Sequence, residues 1–118
     1  MIGLLGCLLG GCHNTVGFVS QSNQEFAATI SDSNVQLVDV RTAEEFADGH
    51  IPGAVNIDVK RDDFDEVVAA GLDNGRPVAV YCRSGARSKV AAKRLAGKGF
   101  KVYELNNGFM NWDGPKEK

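Results

Sequence analysis

From its N-terminus the chain opens on an apolar and glycine run, Ile2 to Gly11, turns polar at His13, and then breaks into short hydrophobic runs separated by polar turns. Val16 to Ser20 reads as a short strand, and Ser22 or Asn23 caps a helix through Glu25, Phe26 and Ile30 that ends at Asp32 and Ser33. Val35 to Val40 is a mostly apolar run, as a parallel strand covered on both faces requires. Thr42 followed by Glu45 forms a capping box for a helix to Asp48. In the turn Gly49 to Gly53, Pro52 pushes Ile51 extended and Gly53 accepts positive φ. Ala54 to Ile57 is another strand, and Asp62 to Ala70 a helix with acidic residues in its first turn. Pro77 to Tyr81 is the clearest strand of all, with proline at its start. Arg87 or Ser88 opens a helix that turns Val90, Ala91 and Leu95 inward and Lys89, Lys93 and Lys98 outward. Val102 to Leu105 is the last strand, and Gly108 to Trp112 starts a final short helix.

Strands alternating with helices predict an α/β fold, a central mostly parallel sheet of about five strands with helices on both faces. Ligands of such sheets bind outside the carboxyl ends of the strands. Cys82 stands there, at the end of the strongest strand and just before a helix.

A length of 118 residues fits one domain, and 43% hydrophobic with 24% charged residues is an ordinary globular composition. The net charge of −2 argues against a nucleic-acid partner, so any anion site is local. The three cysteines, Cys7, Cys12 and Cys82, match neither zinc-ligand nor CxxC spacing. No metal or cofactor is expected, and a monomer is.

The segment after the strand reads Cys82-Arg83-Ser84-Gly85-Ala86-Arg87-Ser88. A short loop entering a helix N-terminus aims backbone N–H groups at one point, where the helix dipole adds positive charge. Gly85 lets the loop curl into an anion-binding nest, and Arg83 and Arg87 add two full charges. All of this favours thiolate over thiol, so a nucleophilic Cys82 needs no neighbouring histidine base. Cysteine phosphatases carry a Cys-x5-Arg loop; here Arg87 makes Cys-x4-Arg and Ser88 stands where their arginine would. The loop is one residue too short for a phosphate.

That loop resembles the six-residue active-site loop of the rhodanese family, Cys-Arg-x-Gly-x-Arg. Asp39-Val40-Arg41, Glu44-Glu45-Phe46, Gly49 through Ile57, and Leu105-Asn106-Asn107-Gly108 with Trp112 are similar to further family patterns. The resemblance implies a sulfurtransferase that moves a sulfane sulfur from thiosulfate or a similar anion to cyanide or a thiol. Cys82 would be nucleophile and persulfide carrier in a ping-pong cycle. Backbone N–H groups from Arg83 through Ser84, Gly85, Ala86 and Arg87 to Ser88 would hold the sulfur and the donor, with Arg83 and Arg87 gripping the anion. A persulfide carrier delivering sulfur to a protein partner is the alternative. The family usually has Gly-Gly where this chain has Asn107-Gly108, a change expected to be tolerated because asparagine accepts left-handed backbone.

Asp39 and Arg41 either orient the active loop by salt bridges or cap the next helix, and a supporting role is expected of them. His50 is expected to be structural, Trp112 to lie over the core, and Asp62 to Glu66 to be a solvated helix start.

The leader is too short to span a bilayer, which takes roughly 20 residues, and no Lys or Arg precedes Arg41. Leu9-Gly10-Gly11-Cys12 resembles the lipobox of bacterial lipoproteins. That implies a leader over 1–12, a lipidated Cys12 as membrane anchor, and a periplasmic domain over 13–118. A cleaved signal of another kind and a cytoplasmic protein are the alternatives.

Overall fold

Apolar residues at both parities of one short strand, Val78-Ala79-Val80-Tyr81, require cover on both faces of the sheet. The computed structural model, which describes residues 14–15 and 17–118, provides that cover. The leader, its lipobox, Cys12 and Val16 lie outside the described residues.

The elements in order are β1 (Asn14–Thr15), β2 (Phe18–Gln21), α1 (Asn23–Ile30), β3 (Gln36–Asp39), α2 (Ala43–Asp48), β4 (Val55–Asn56), α3 (Phe64–Gly71), β5 (Val78–Tyr81), α4 (Ala86–Gly97) and β6 (Val102–Leu105). A 3-10 turn, Phe109–Asn111, follows. The strand order is β1-β2-β6-β5-β3-β4. Five strands pair in parallel, and the two-residue β1 adds an antiparallel edge to β2. The α/β sheet of about five parallel strands expected from the pattern is therefore present, with β5 in its interior.

Alternation along the strands splits the core. Val38, Val40, Val78, Val80 and Val102 pack with Phe64 and Val68 of α3 and with Ala91, Ala92 and Leu95 of α4. Leu37, Ala79, Tyr81 and Leu105 turn the other way, onto Phe26 of α1 and Trp112. The expected capping box of Thr42 with Glu45 forms, and Ser22, one of the two cap candidates of α1, forms a second box with Glu25.

Several boundaries move. β2 runs to Gln21, β3, β4 and β5 are trimmed to the residues that pair, and α3 starts at Phe64 rather than Asp62. The last short helix is the 3-10 turn alone. α4 begins at Ala86, ahead of the expected Arg87 or Ser88, because Gly85 takes φ +103° as its N-cap. Its buried stripe is Ser88, Ala91, Ala92 and Leu95, an i, i+3, i+4, i+7 set. Val90 falls off that stripe and is exposed, contrary to the inward position expected of it. Lys93 and Lys98 point outward as expected, but Lys89 bends back to a buried carboxylate, Glu104.

Candidate active site

The end of β5 carries the chain straight into α4 through Cys82, Arg83, Ser84 and Gly85. Cys82 has no exposed surface. Its Sγ accepts from the Gly85 amide at 3.1 Å and lies 3.5 Å from Ser88 Oγ. Several loop amides are expected to face the bound sulfur and donor; among the described residues that of Gly85 bonds Sγ, while Ala86, Arg87 and Ser88 form the first turn of α4, whose amides have no partner within the helix.

The loop is shaped from behind by the turn after β6. Phe109 N–H donates to the Cys82 carbonyl at 2.8 Å and Met110 N–H to the Arg83 carbonyl at 3.0 Å. A side chain at Gly85 would overlap the Asn106 carbonyl oxygen, and one at Gly108 the Arg83 carbonyl. Positive φ falls on Gly108, at +75°, and no non-glycine residue among those described adopts it. Asn107 is thus accommodated without needing the left-handed backbone for which it was judged tolerant.

The two arginines part company. Arg87 forms a two-pronged pair with Glu45, 2.8 and 3.0 Å, which ties α4 to α2. Hydrogen bonding from the Arg87 guanidinium holds the Glu45 carboxyl down at about 2. Arg83 is exposed at the loop mouth, beside a groove lined by Arg41, Glu45, Asp48, Phe109 and Met110. No carboxylate partner reaches it among the described residues. Arg87 was expected to grip the anion alongside Arg83; here it is occupied by Glu45, and Arg83 is the uncommitted cation. Ser84 and Ala86 are also exposed, and Gly85 is buried.

Asp39 and Arg41 form a buried pair: Arg41 Nη2 lies 2.6 Å from Asp39 Oδ2 and Nε 2.9 Å from Oδ1. Arg41 Nη2 also donates to the Gly49 carbonyl at 2.7 Å, and the guanidinium lies 4.5 Å from the Phe109 ring. Of the two alternatives, the geometry is the salt bridge, acting as a brace between the 49–53 turn and the 3-10 turn. Tyr81 completes it: its hydroxyl accepts from Ile51 N–H at 3.0 Å, and burial with the nearby Asp39 carboxylate pushes its ionisation far up. His50 stacks on Phe46 at 3.7 Å, meets the Phe46 carbonyl through Nδ1, and pairs its backbone with Glu117, a structural position remote from Sγ in its contacts. Trp112 is buried edge-on to Phe26, with Nε1–H on the Pro115 carbonyl. Asp65, in the acidic run, pairs with Arg94 and Lys98.

Sequence reasoning missed Glu104. It is fully buried in β6 and accepts from Ser20 Oγ at 2.5 Å, Ser88 Oγ at 2.6 Å and Lys89 Nζ at 3.2 Å. The available signal was its parity: it shares a strand face with Val102, where a core residue belongs. Glu45 appeared in the sequence only as a capping and family-pattern residue; its clamp on Arg87 spans 42 positions.

The family model for the rhodanese-like domain matches residues 22–114. Thiosulfate sulfurtransferase GlpE of Pseudomonas savastanoi pv. phaseolicola is 38% identical over 89 residues, covering 75% of this chain and 81% of that protein. A rhodanese-like domain protein from Staphylococcus aureus superposes with a TM-score of 0.71 at 28% identity, covering 83% of this chain and 95% of that one. A rhodanese from E. coli solved with anions gives 0.60 at 31% identity, over 71% and 98%. Sulfur transfer in general is the chemistry these likenesses support, and the chain belongs to the rhodanese-like family.

Proposed function

We propose that the protein is a thiosulfate-sulfurtransferase-type enzyme working through a Cys82 persulfide. The observation that carries this reading is the Cys82 sulfur at the carboxyl end of β5, bonded by the Gly85 amide at the start of α4. An anion at that place is favoured by the helix N-terminus.

In the first half-reaction the Cys82 thiolate attacks the outer sulfur of thiosulfate. A new S–S bond forms, the sulfur–sulfur bond of the donor breaks, and sulfite leaves with its electron pair. In the second, cyanide or a thiolate attacks the terminal sulfur of the persulfide and the Cys82 thiolate is restored. No metal or cofactor enters either step. Arg83 draws the donor's charge to the loop mouth, and the Gly85 amide and Ser88 hydroxyl steady sulfur inside it. Arg87 acts through Glu45 by holding α2 against the loop. The Asp39–Arg41 pair braces the turns on either side. The protein acts as a monomer, on small anions and thiophiles rather than on nucleic acid.

The test is thiosulfate-to-cyanide transfer by the purified protein beside Cys82→Ser, with the intact mass of each after loading. Turnover and one added sulfur, both lost in the variant, establish the enzyme. Loading without turnover favours the carrier, and absence of both overturns the reading of Cys82. We propose separately that Cys12 is acylated and anchors the domain at the periplasmic side of a membrane. Labelling with an alkyne fatty acid that survives Cys12→Ser overturns that.

A further inference from the structure

A carboxylate sealed in a sheet core is expensive unless every lone pair finds a partner. Glu104 is such a group, and the proposed sulfur chemistry makes no use of it. Its register explains what it reaches. Ser20 of β2 and Val80 of β5 are its direct neighbours across the sheet, and Cys82 lies two residues beyond Val80 on the same face. α4 covers that face with Ser88 in its buried stripe. The result is a continuous line: Cys82 Sγ to Ser88 Oγ at 3.5 Å, and Ser88 Oγ to Glu104 Oε2 at 2.6 Å.

We propose that Glu104 is a positioning residue that takes up the thiol proton of Cys82 through the Ser88 hydroxyl. Ser88 has one proton to give. With a thiol present, Cys82 S–H donates to Ser88 and Ser88 O–H donates to Glu104. When the proton moves, the S–H bond breaks and leaves its electron pair on sulfur. The Ser88 oxygen gains that proton and passes its own to Glu104 Oε2. The products are a thiolate, a neutral carboxylic acid, and a hydroxyl turned to donate toward sulfur. Net charge within the pair is unchanged, so the nucleophile is prepared without moving a proton to bulk water from a cysteine with no exposed surface.

Charged and polar groups of α4 and β2 face this line. Lys89 of α4 reaches Glu104 at 3.2 Å, and also the Gly85 and Asn106 carbonyls at 3.3 Å each. Its cation stabilises the charged form of Glu104, a bias that the transfer has to overcome. Arg87, paired with Glu45, carries a positive charge that interacts with Cys82. Ser20 of β2 holds Oε1 and the Asn106 side chain without adding charge. Among the described residues no histidine takes part: His50 is held by Phe46 and Glu117.

The test rests on Cys82 as nucleophile but not on sulfur transfer. The full-length protein, Glu104→Gln, Ser88→Ala and the double variant are treated with iodoacetamide from pH 5.5 to 8, with Cys82 followed by peptide mass. The wild-type rate is expected to change little with pH over that range. Each single variant is expected to be at least about tenfold slower near pH 6 and to rise about tenfold per pH unit, as an unassisted thiol does. The double variant should be no slower than either single, because one line is cut twice. Removing a negative charge without a relay would instead speed alkylation. A Glu104→Gln rate equal to or above wild type therefore overturns the proposal, as does an unaffected Ser88→Ala. Thiosulfate turnover is measured in parallel: alkylation behaving as expected with no turnover sinks the sulfurtransferase reading and leaves the relay standing.

Discussion

The amide of Phe109 donates to the carbonyl of Cys82 at 2.8 Å, so the backbone of Cys82 is held by the turn that follows β6. The turn rises directly from β6, the parallel neighbour of β5. The Cys82–Gly85 loop is thus one half of a two-loop unit, with Gly85 and Gly108 as the points of close approach.

Glycine substitutions should separate contact from backbone strain. Gly85→Ala and Gly108→Ala meet both a positive φ and the carbonyl of the opposing loop. Each is expected to cost about 3 kcal/mol or more in urea unfolding and to abolish turnover. Gly53→Ala, with φ +87° and nothing within 4 Å, should cost only about 1 kcal/mol. Equal losses at all three sites would rule out the interlock as a major contributor.

The Glu45–Arg87 clamp sets an acid limit. Glu45 is held at about 2 against an ordinary 4.5, a depressed value, so the stability it contributes is complete above about 4.5 and is lost as pH falls toward 2. The carboxylate is partly exposed, so solvent screens the pair, and Glu45→Gln should cost about 1 kcal/mol near neutral pH. Denaturant titrations of both proteins between pH 7 and pH 2 should show that gap closing on the acid side. A gap that stays constant, or widens in acid, contradicts the clamp.

Arg83 and Arg87 should fail differently. Arg83→Ala removes an exposed cation with no carboxylate partner among the described residues. Its unfolding free energy should shift by less than about 0.5 kcal/mol while KM for thiosulfate rises about tenfold. Arg87→Ala should lower stability by about 1 kcal/mol and reduce kcat more than it raises KM, since Glu45 and α2 lose their anchor. Steady-state kinetics with calorimetry on the two variants distinguishes them, and identical kinetic profiles would place both arginines on the donor.

Local signals in the chain were read correctly where the physics is local. Thr42 and Glu45 are three positions apart, so their capping box follows from spacing alone. The apolar stretch ahead of Cys82 needs only a two-sided cover to be recognised as an interior strand. Val90 was misplaced because an isolated valine in a helix reads as core until the buried stripe is known, and that stripe is set by which side of the sheet α4 packs against. Asn107 was weighed for a left-handed role because the turn's positive φ cannot be assigned to one residue before its hydrogen bonds are known.

By itself, then, the sequence determined the α/β class, the position of Cys82 at a strand end, and the Cys82–Ser88 loop, because each depends on residues within one or two turns of chain. Only the tertiary structure decided that Arg87 pairs with Glu45, that Arg83 has no carboxylate partner among the described residues, and that Glu104 stands behind Ser88. Those relations join residues 42 and 16 positions apart. Parallel strand order brings them together, and an isolated Glu in Val102-Tyr103-Glu104-Leu105 carries no local mark of the serine that will face it.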